Sequence, residues 1–390
     1  MKRLFLIISS AFISLGTLNA QSFGDAVKEG FEPLTDLVAK SNKKKEVTTT
    51  LRDGSIYIGE VKKRRPHGEG RLMYANGDRY NGSFLNGNRH GEGICHYKNG
   101  DRYEGSYKDD KRNGQGVYIY TDGRRYEGNW VDDRMQGYGR MDYPNGDYYS
   151  GSWSADVRTG AGTYIYKDGA AYSGEWKDNR YNGIGTFIWA DNSKYLGQWK
   201  NGRRDGKGVY MSPAGETCDG MWVRNVCEGD VKCKYADGTV YEGGFKDNQW
   251  HGDGKYVLPD NTTYEGGFKE GKRDGYGVMR FSNGAVYDGY WKDNERCGKG
   301  TYTWANGDVY EGEWSDDAMN GSGVLLLHDG RRYSGGFVDG LEEGAGVAID
   351  TDGLRYEGTF IEGQRNGRFV VKDADGKVLR ECTYSLGIID

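Results

Sequence analysis

Several things are scarce in this 390-residue chain, and each scarcity removes a class of function. Positive charge is not in excess: the formal net charge is −5, which leaves no electrostatic case for nucleic acid as a partner. Beyond residue 20 no stretch is apolar enough to span a bilayer as a helix. Histidine is rare, with 5 in the chain, and neither a His-Glu-x-x-His pair nor a Gly-x-Ser-x-Gly elbow occurs. Proline is equally rare at 5, whereas glycine reaches 65 and tyrosine 31. Glycine at that level, accompanied by so many rings, is not low-complexity linker. It fits many tight turns between short strands that build a core from aromatics.

The tyrosines carry a period. Tyr57, Tyr80, Tyr103, Tyr126, Tyr149, Tyr172 and Tyr195 are 23 residues apart, Cys218 takes the next place, and Tyr241 to Tyr356 continue the series. Fourteen units follow one another without insertion or deletion. With this tyrosine as offset 0, offset 2 is glycine in every unit. Offset 4 is aromatic in all but the first, where Val61 stands. Offset 11 is always glycine, and offset 13 is glycine except at Val231 and Phe369. Offsets 19 and 20 read Asn-Gly or Asp-Gly in most units, as at Asn76-Gly77 and Asp122-Gly123. That dipeptide is a strong turn signal.

Period-2 spacing places offsets 0, 2 and 4 on one face of a strand, and 13, 15 and 17 on one face of the next. A loop centred near offset 8.5 then pairs 0 with 17, 2 with 15 and 4 with 13. Each unit is a hairpin, and the expected fold is an all-β, elongated, solenoid-like ribbon of fourteen antiparallel hairpins. Offset 15 alternates Tyr118, Tyr164, Tyr210 with Cys95, Met141, Phe187, which reads as packing between adjacent hairpins.

Units such as Tyr126-Glu127-Gly128-Asn129-Trp130 followed by Gly137-Tyr138-Gly139 resemble MORN repeats, whose pattern is Tyr-x-Gly-x-Trp, a turn, then Gly-x-Gly and an aromatic. The resemblance covers residues 50–378. Unit 8 departs from it at Cys218 and Val231, and unit 14 at Phe369 and Asp373. It implies a scaffold or interaction module, in some cases at membranes. The family name suggests phospholipid.

The ends read differently. Residues 1–20 have a basic start (Lys2, Arg3), an apolar stretch from Leu4 to Leu15 and a small residue at Ala20, the pattern of a secretion signal. Its removal takes the charge from −5 to −7. In residues 21–46, Phe23, Val27, Phe31, Leu34 and Val38 fall on one helical face, giving an amphipathic helical cap or linker before Lys43-Lys44-Lys45. The array is expected over 47–383, with a tail at 384–390.

Subtracting the repeat leaves few candidates for chemistry. His67, His90 and His251 share offset 10 and are too far apart for one metal. No catalytic residue, metal or cofactor is expected. Of the six cysteines, only those of unit 8 lie in range of one another. Cys218 and Cys233, diagonal across the hairpin, are the candidate disulfide, the alternative being small buried apolar side chains. The face away from the rings carries a β-branched stripe at offsets 14 and 16: Val117, Ile119, Thr163, Ile165, Thr186, Ile188, Val209, Met211, Val324, Leu326, Val347 and Ile349. Either it reflects strand propensity or it is a contact surface for a protein partner or second copy. The functional expectation is a non-enzymatic scaffold of the cell envelope, periplasmic or extracellular. A membrane surface and a carbohydrate or cell-wall polymer are the alternative ligands.

Overall fold

A computed structural model describes residues 46–389. The expected secretion signal lies outside the described residues, as does the expected N-terminal helix but for Glu46. Among the described residues there are strands and turns and no helix. They form one 31-stranded antiparallel sheet. Strands pair in chain order: Val47–Thr50 joins only Ile56–Lys62, and the last, Ile388–Ile389, joins only Val378–Ser385. The sheet is therefore open.

The hairpin register differs from the one expected. In unit 4, Tyr126 faces Met141, Gly128 faces Gly139 and Trp130 faces Met135, so offset 0 pairs with 15, 2 with 13 and 4 with 9. Two features cause the shift. The reversal is a two-residue turn at Asp132-Asp133, whose φ values of 48° and 68° make it the type I′ turn that suits a twisted hairpin. A bulge then opens between Gly128 and Trp130, and Gly137, at φ 71°, takes up the extra residues on the facing strand. The Asn-Gly turn between hairpins is as expected: the Gly146 amide donates to Tyr143 O at 3.0 Å, with Gly146 at φ 92°.

Register explains the two glycines. Gly128 and Gly139 sit opposite each other, and the Tyr126 ring lies across both. A Cβ on Gly139 would come within 2.3 Å of the Tyr126 hydroxyl oxygen. That hydroxyl donates to Asn129 O at 3.1 Å, and twelve of the thirteen offset-0 tyrosines make the same bond to offset 3. The exception, Tyr356, is instructive. Phe369 replaces the second glycine, and its own ring covers Gly358 instead. The large-opposite-small pairing expected within a hairpin occurs between hairpins: Trp130 faces Gly114 of the preceding unit.

Each offset-4 ring joins two units. Trp130 meets its own Tyr126 edge-on at 5.2 Å and the preceding Tyr103 at 5.6 Å. All seven offset-4 tryptophans donate their indole N–H to the offset-13 carbonyl of the preceding unit, at 3.0–3.4 Å. The core is thus a single layer of rings on one face of the sheet.

A methyl group at Gly139 displaces the Tyr126 ring. Gly139→Ala is expected to cost roughly 1–3 kcal/mol as overpacking, and Tyr126→Phe, which loses one hydrogen bond, about 1 kcal/mol. Native-state hydrogen exchange should place both losses in units 3–5, since repeats couple to their nearest neighbours.

Candidate functional site

The ring face is closed by side chains that the sequence pattern did not single out. Offset 9 is arginine in seven units. The Arg112 guanidinium lies 4.2 Å from the centroid of Trp130 in the next unit. Its backbone amide donates to Asp133 Oδ1 at 3.0 Å and its Nη2 to Asp133 O at 2.9 Å. Arg204 repeats this on Trp222 and Asn225, and Arg296 on Trp314 and Asp317. The arginine therefore clips one hairpin to the turn of the next while covering its indole. The signal available was the recurrence of arginine at offset 9 with Asp or Asn at offset 7. In two of the seven units without this arginine a ring stands in: Tyr181 stacks on Tyr172 at 3.8 Å, and Trp250 on Tyr241 at 4.6 Å.

The alternation at offset 15 also has a local cause. Tyr118 donates to Asp101 Oδ2 at 2.8 Å, and Tyr164 to Asp147 Oδ2 at 2.8 Å. Asp101 and Asp147 are buried and also accept amide bonds, from Thr121 and Lys167. The Lys167 amide holds the Asp147 carboxyl below its usual range, against a smaller rise from burial, with help from Tyr164 and Asn145. At Asp101 burial is the largest influence and pushes upward, but the donors together outweigh it.

The offset 14 and 16 residues lie on the opposite face, and the register decides what lies beside them. Val117 sits between Glu104 and Glu127, and Ile119 between Arg102 and Arg125. Leu326 has Val309 and Arg332 beside it, and Ile349 has Arg332 and Arg355. Val324 lies between Glu311 and Ser334, and Val347 between Ser334 and Glu357. These positions are flanked by charge and form no continuous stripe. Units 5–7 differ. One row across the strands reads Ser150, Thr163, Ser173, Thr186, Leu196, Val209, and the parallel row reads Tyr148, Ile165, Ala171, Ile188 before Lys194 and Met211. Tyr138 and Ile184 stand beside it, 69% and 59% exposed. A shallow hollow of 420 Å³ lies among Tyr138, Ser150, Thr163, Ser173 and Ile184, with the Glu175 carboxylate on its lining. The structure thus gathers five of the predicted residues (Thr163, Ile165, Thr186, Ile188 and Val209) into one patch rich in hydroxyl and aliphatic side chains and leaves the others separate.

In unit 8, Cys218 and Cys233 are directly opposite rather than diagonal, with Cα atoms 4.1 Å apart, and are joined as a disulfide. Cys95, Cys227, Cys297 and Cys382 are free thiols. No group of three or more His, Cys, Asp or Glu among the described residues has metal-binding geometry.

A single open sheet built from one tandem hairpin defines a repeat protein whose surfaces, not a cavity-centred domain, face its surroundings. The MORN repeat model matches thirteen stretches: 57–79, 80–102, 103–124, 126–148, 149–171, 172–194, 195–217, 241–263, 264–286, 287–309, 310–330, 333–355 and 356–368. The chain belongs to the MORN-repeat family, and the match passes over unit 8. No curated protein sequence matches it. Among solved structures it is similar to the TCP10c domain of Drosophila melanogaster Sas-4, at 16% identity and TM-score 0.25, over 44% of this chain and 96% of that one. It is also similar to the TCP10 domain of Danio rerio CPAP with a STIL peptide, at 12% identity and TM-score 0.17, over 87% and 99%. At these scores the likeness carries no argument about function.

The lowered Asp147 carboxyl makes units 4–5 sensitive to acid. Its stabilisation is complete above the ordinary carboxyl value of 3.8 and is lost as pH falls through the lower folded value. Exchange protection of the Lys167 amide should therefore fall below about pH 4 in the wild type. In Asp147→Asn it should be lower at neutral pH and nearly flat across that range.

Proposed function

We propose that this chain is a non-enzymatic scaffold that binds a protein partner, or a second copy of itself, through the hydroxyl- and aliphatic-rich face of units 5–7. The observation that carries this reading is the run Ser150, Thr163, Ser173, Thr186, Leu196, Val209 with Tyr148, Ile165, Ala171 and Ile188 beside it. Elsewhere on that face Glu, Arg and Lys interrupt the aliphatic positions. A flat patch rich in hydroxyl and aliphatic side chains, with Glu175 its one charge at the hollow, suits a protein contact because little charge has to be desolvated. The N-terminal pattern supports export, and places the scaffold in the cell envelope under this proposal. The MORN repeat itself is consistent with protein or membrane binding. A membrane surface is favoured only by the first unit, whose turn carries Lys62, Lys63, Arg64 and Arg65.

Lysine at Thr163, Ile184 and Thr186 puts three charges into the patch, whereas Ile119→Lys adds one between two arginines outside it. The triple variant should lose more than about tenfold in affinity, about 1.4 kcal/mol, and Ile119→Lys should change little. Light scattering reports the mass and capture from envelope extract the partner, with circular dichroism as the folding control. A folded triple variant that keeps both would refute the patch.

A further inference from the structure

The rings form a nearly continuous zigzag along the sheet, and it has one gap. In an intact unit the offset-0 ring touches its own offset-4 ring and that of the next unit. Tyr126 meets Trp130 at 5.2 Å and Trp153 at 5.6 Å. The series runs on to Tyr195 against Trp222 at 5.3 Å and resumes at Tyr241 against Phe268 at 5.5 Å. Between Trp222 and Phe245 the ring position is Cys218.

Two further positions lose bulk at the same place. Offset 9 is Cys227, smaller than Arg204 and Trp250 at the same offset in the flanking units. Offset 17 is Ser212, between Trp189 and Tyr235 at the same offset in the flanking units. The result is a hollow of 620 Å³, within the roughly 300–1,000 Å³ of ligand pockets. Trp189 and Tyr210 wall one side, Tyr235 and Phe245 the other, and Trp222 with the three unit 8 cysteines line it between them. Val231 does not let a ring sink to the backbone: its Cγ1 lies 2.6 Å from where a Cβ of Gly220 would be. The floor is raised and apolar, the walls are aromatic, and the mouth carries both signs of charge, Asp191 and Glu216 against Arg204 and Lys234.

We propose that this bay in unit 8 binds the aromatic side chain of a protein partner, which completes the interrupted ring series between Trp222 and Phe245. Edge-to-face contact with those rings selects an aromatic group over an aliphatic one of similar size. The mixed-charge mouth provides donors and acceptors for the partner's backbone on either side. The proposal rests on the scaffold reading only for where the ring comes from; binding of a ring to the bay is testable without any partner.

The probe is N-acetyl-tryptophanamide titrated into the full chain, followed by the indole N–H resonances of Trp189 and Trp222 and by calorimetry. Saturable binding in the millimolar range is expected, at least fivefold tighter than N-acetyl-leucinamide, with methyl glucoside inert. Two variants fill the bay by different routes. Cys218→Tyr/Cys227→Arg/Val231→Gly recreates the side chains of unit 2, where Tyr80 already faces the free Cys95 and Arg89 occupies offset 9. Ser212→Tyr restores the missing offset-17 ring and leaves Cys218 and Cys233 untouched. Each should weaken the probe at least tenfold. Equal binding of tryptophan and leucine amides, tighter binding of the glucoside, or retention of the probe by both filled variants would overturn the proposal. Filled variants that lose the probe but capture the partner as the wild type does would overturn the bay as a partner site while leaving the units 5–7 patch standing.

Discussion

Everything in this molecule depends on one contact: a tyrosine ring lying flat across two facing glycines. The ring needs bare backbone on both strands, so offsets 2 and 13 carry no Cβ. Once seated, its hydroxyl reaches the offset-3 carbonyl, at 3.1 Å in the Tyr126 unit. That bond fixes the ring, and the fixed ring offers its edges and faces to the tryptophans of two units. The two units without the second glycine show the dependence. Val231 and Phe369 each occupy the place themselves, and in those units no tyrosine lies over the pair. In unit 14 Tyr356 is instead capped by the Arg365 guanidinium, 3.8 Å from its centroid.

A single sheet buries only one face, so the ring layer has no second layer of secondary structure to cover it. Arginines at offset 9 take that role. Their stems and guanidinium planes cover indoles, which suits a group that is flat, weakly hydrated and rich in donors. Because each is also tied to the next turn, covering the core and joining the units are one act. The opposite face has no such duty and is free to vary. Its composition changes from charged at both ends to mostly hydroxyl and aliphatic over units 5–7.

Much of this was legible in the sequence. The 23-residue period, the ring positions and the Asn-Gly turns follow from spacing alone, because a repeat without indels prints its core as columns of identical residues. The register was not legible. A two-residue turn at Asp132-Asp133 followed by a bulge at Gly137 moves the outer pairings by two and the one beside the turn by four, and period-2 alternation is blind to a shift by an even number. The surface patch was hidden for a related reason. Whether Thr163 or Val117 belongs to a continuous face depends on its neighbours from two different hairpins: serines in the first case, glutamates in the second. The arginine clip was missed because offset 9 fell within the loop of the assumed hairpin.

The contacts between units all point one way along the chain. An indole reaches back to the unit before it, and an arginine reaches forward to the turn after it. The first unit has Val61 at the indole position, although Val47 of the strand before it pairs with Gly59 as Gly116 does with Gly128. In the last, Arg365 keeps the forward contact, its carbonyl accepting from the Gly387 amide at 2.8 Å, and its Nη2 also donates to Asp350 Oδ1 at 2.8 Å. The array is therefore a vector with a distinct head and tail, like a strip of one-way ratchet. A unit spliced between two intact repeats meets the same register on both sides, whereas one placed beside unit 8 meets Cys218 and Val231 in place of the ring and its glycine. Growth by internal duplication is thus easy among the intact units of such a chain.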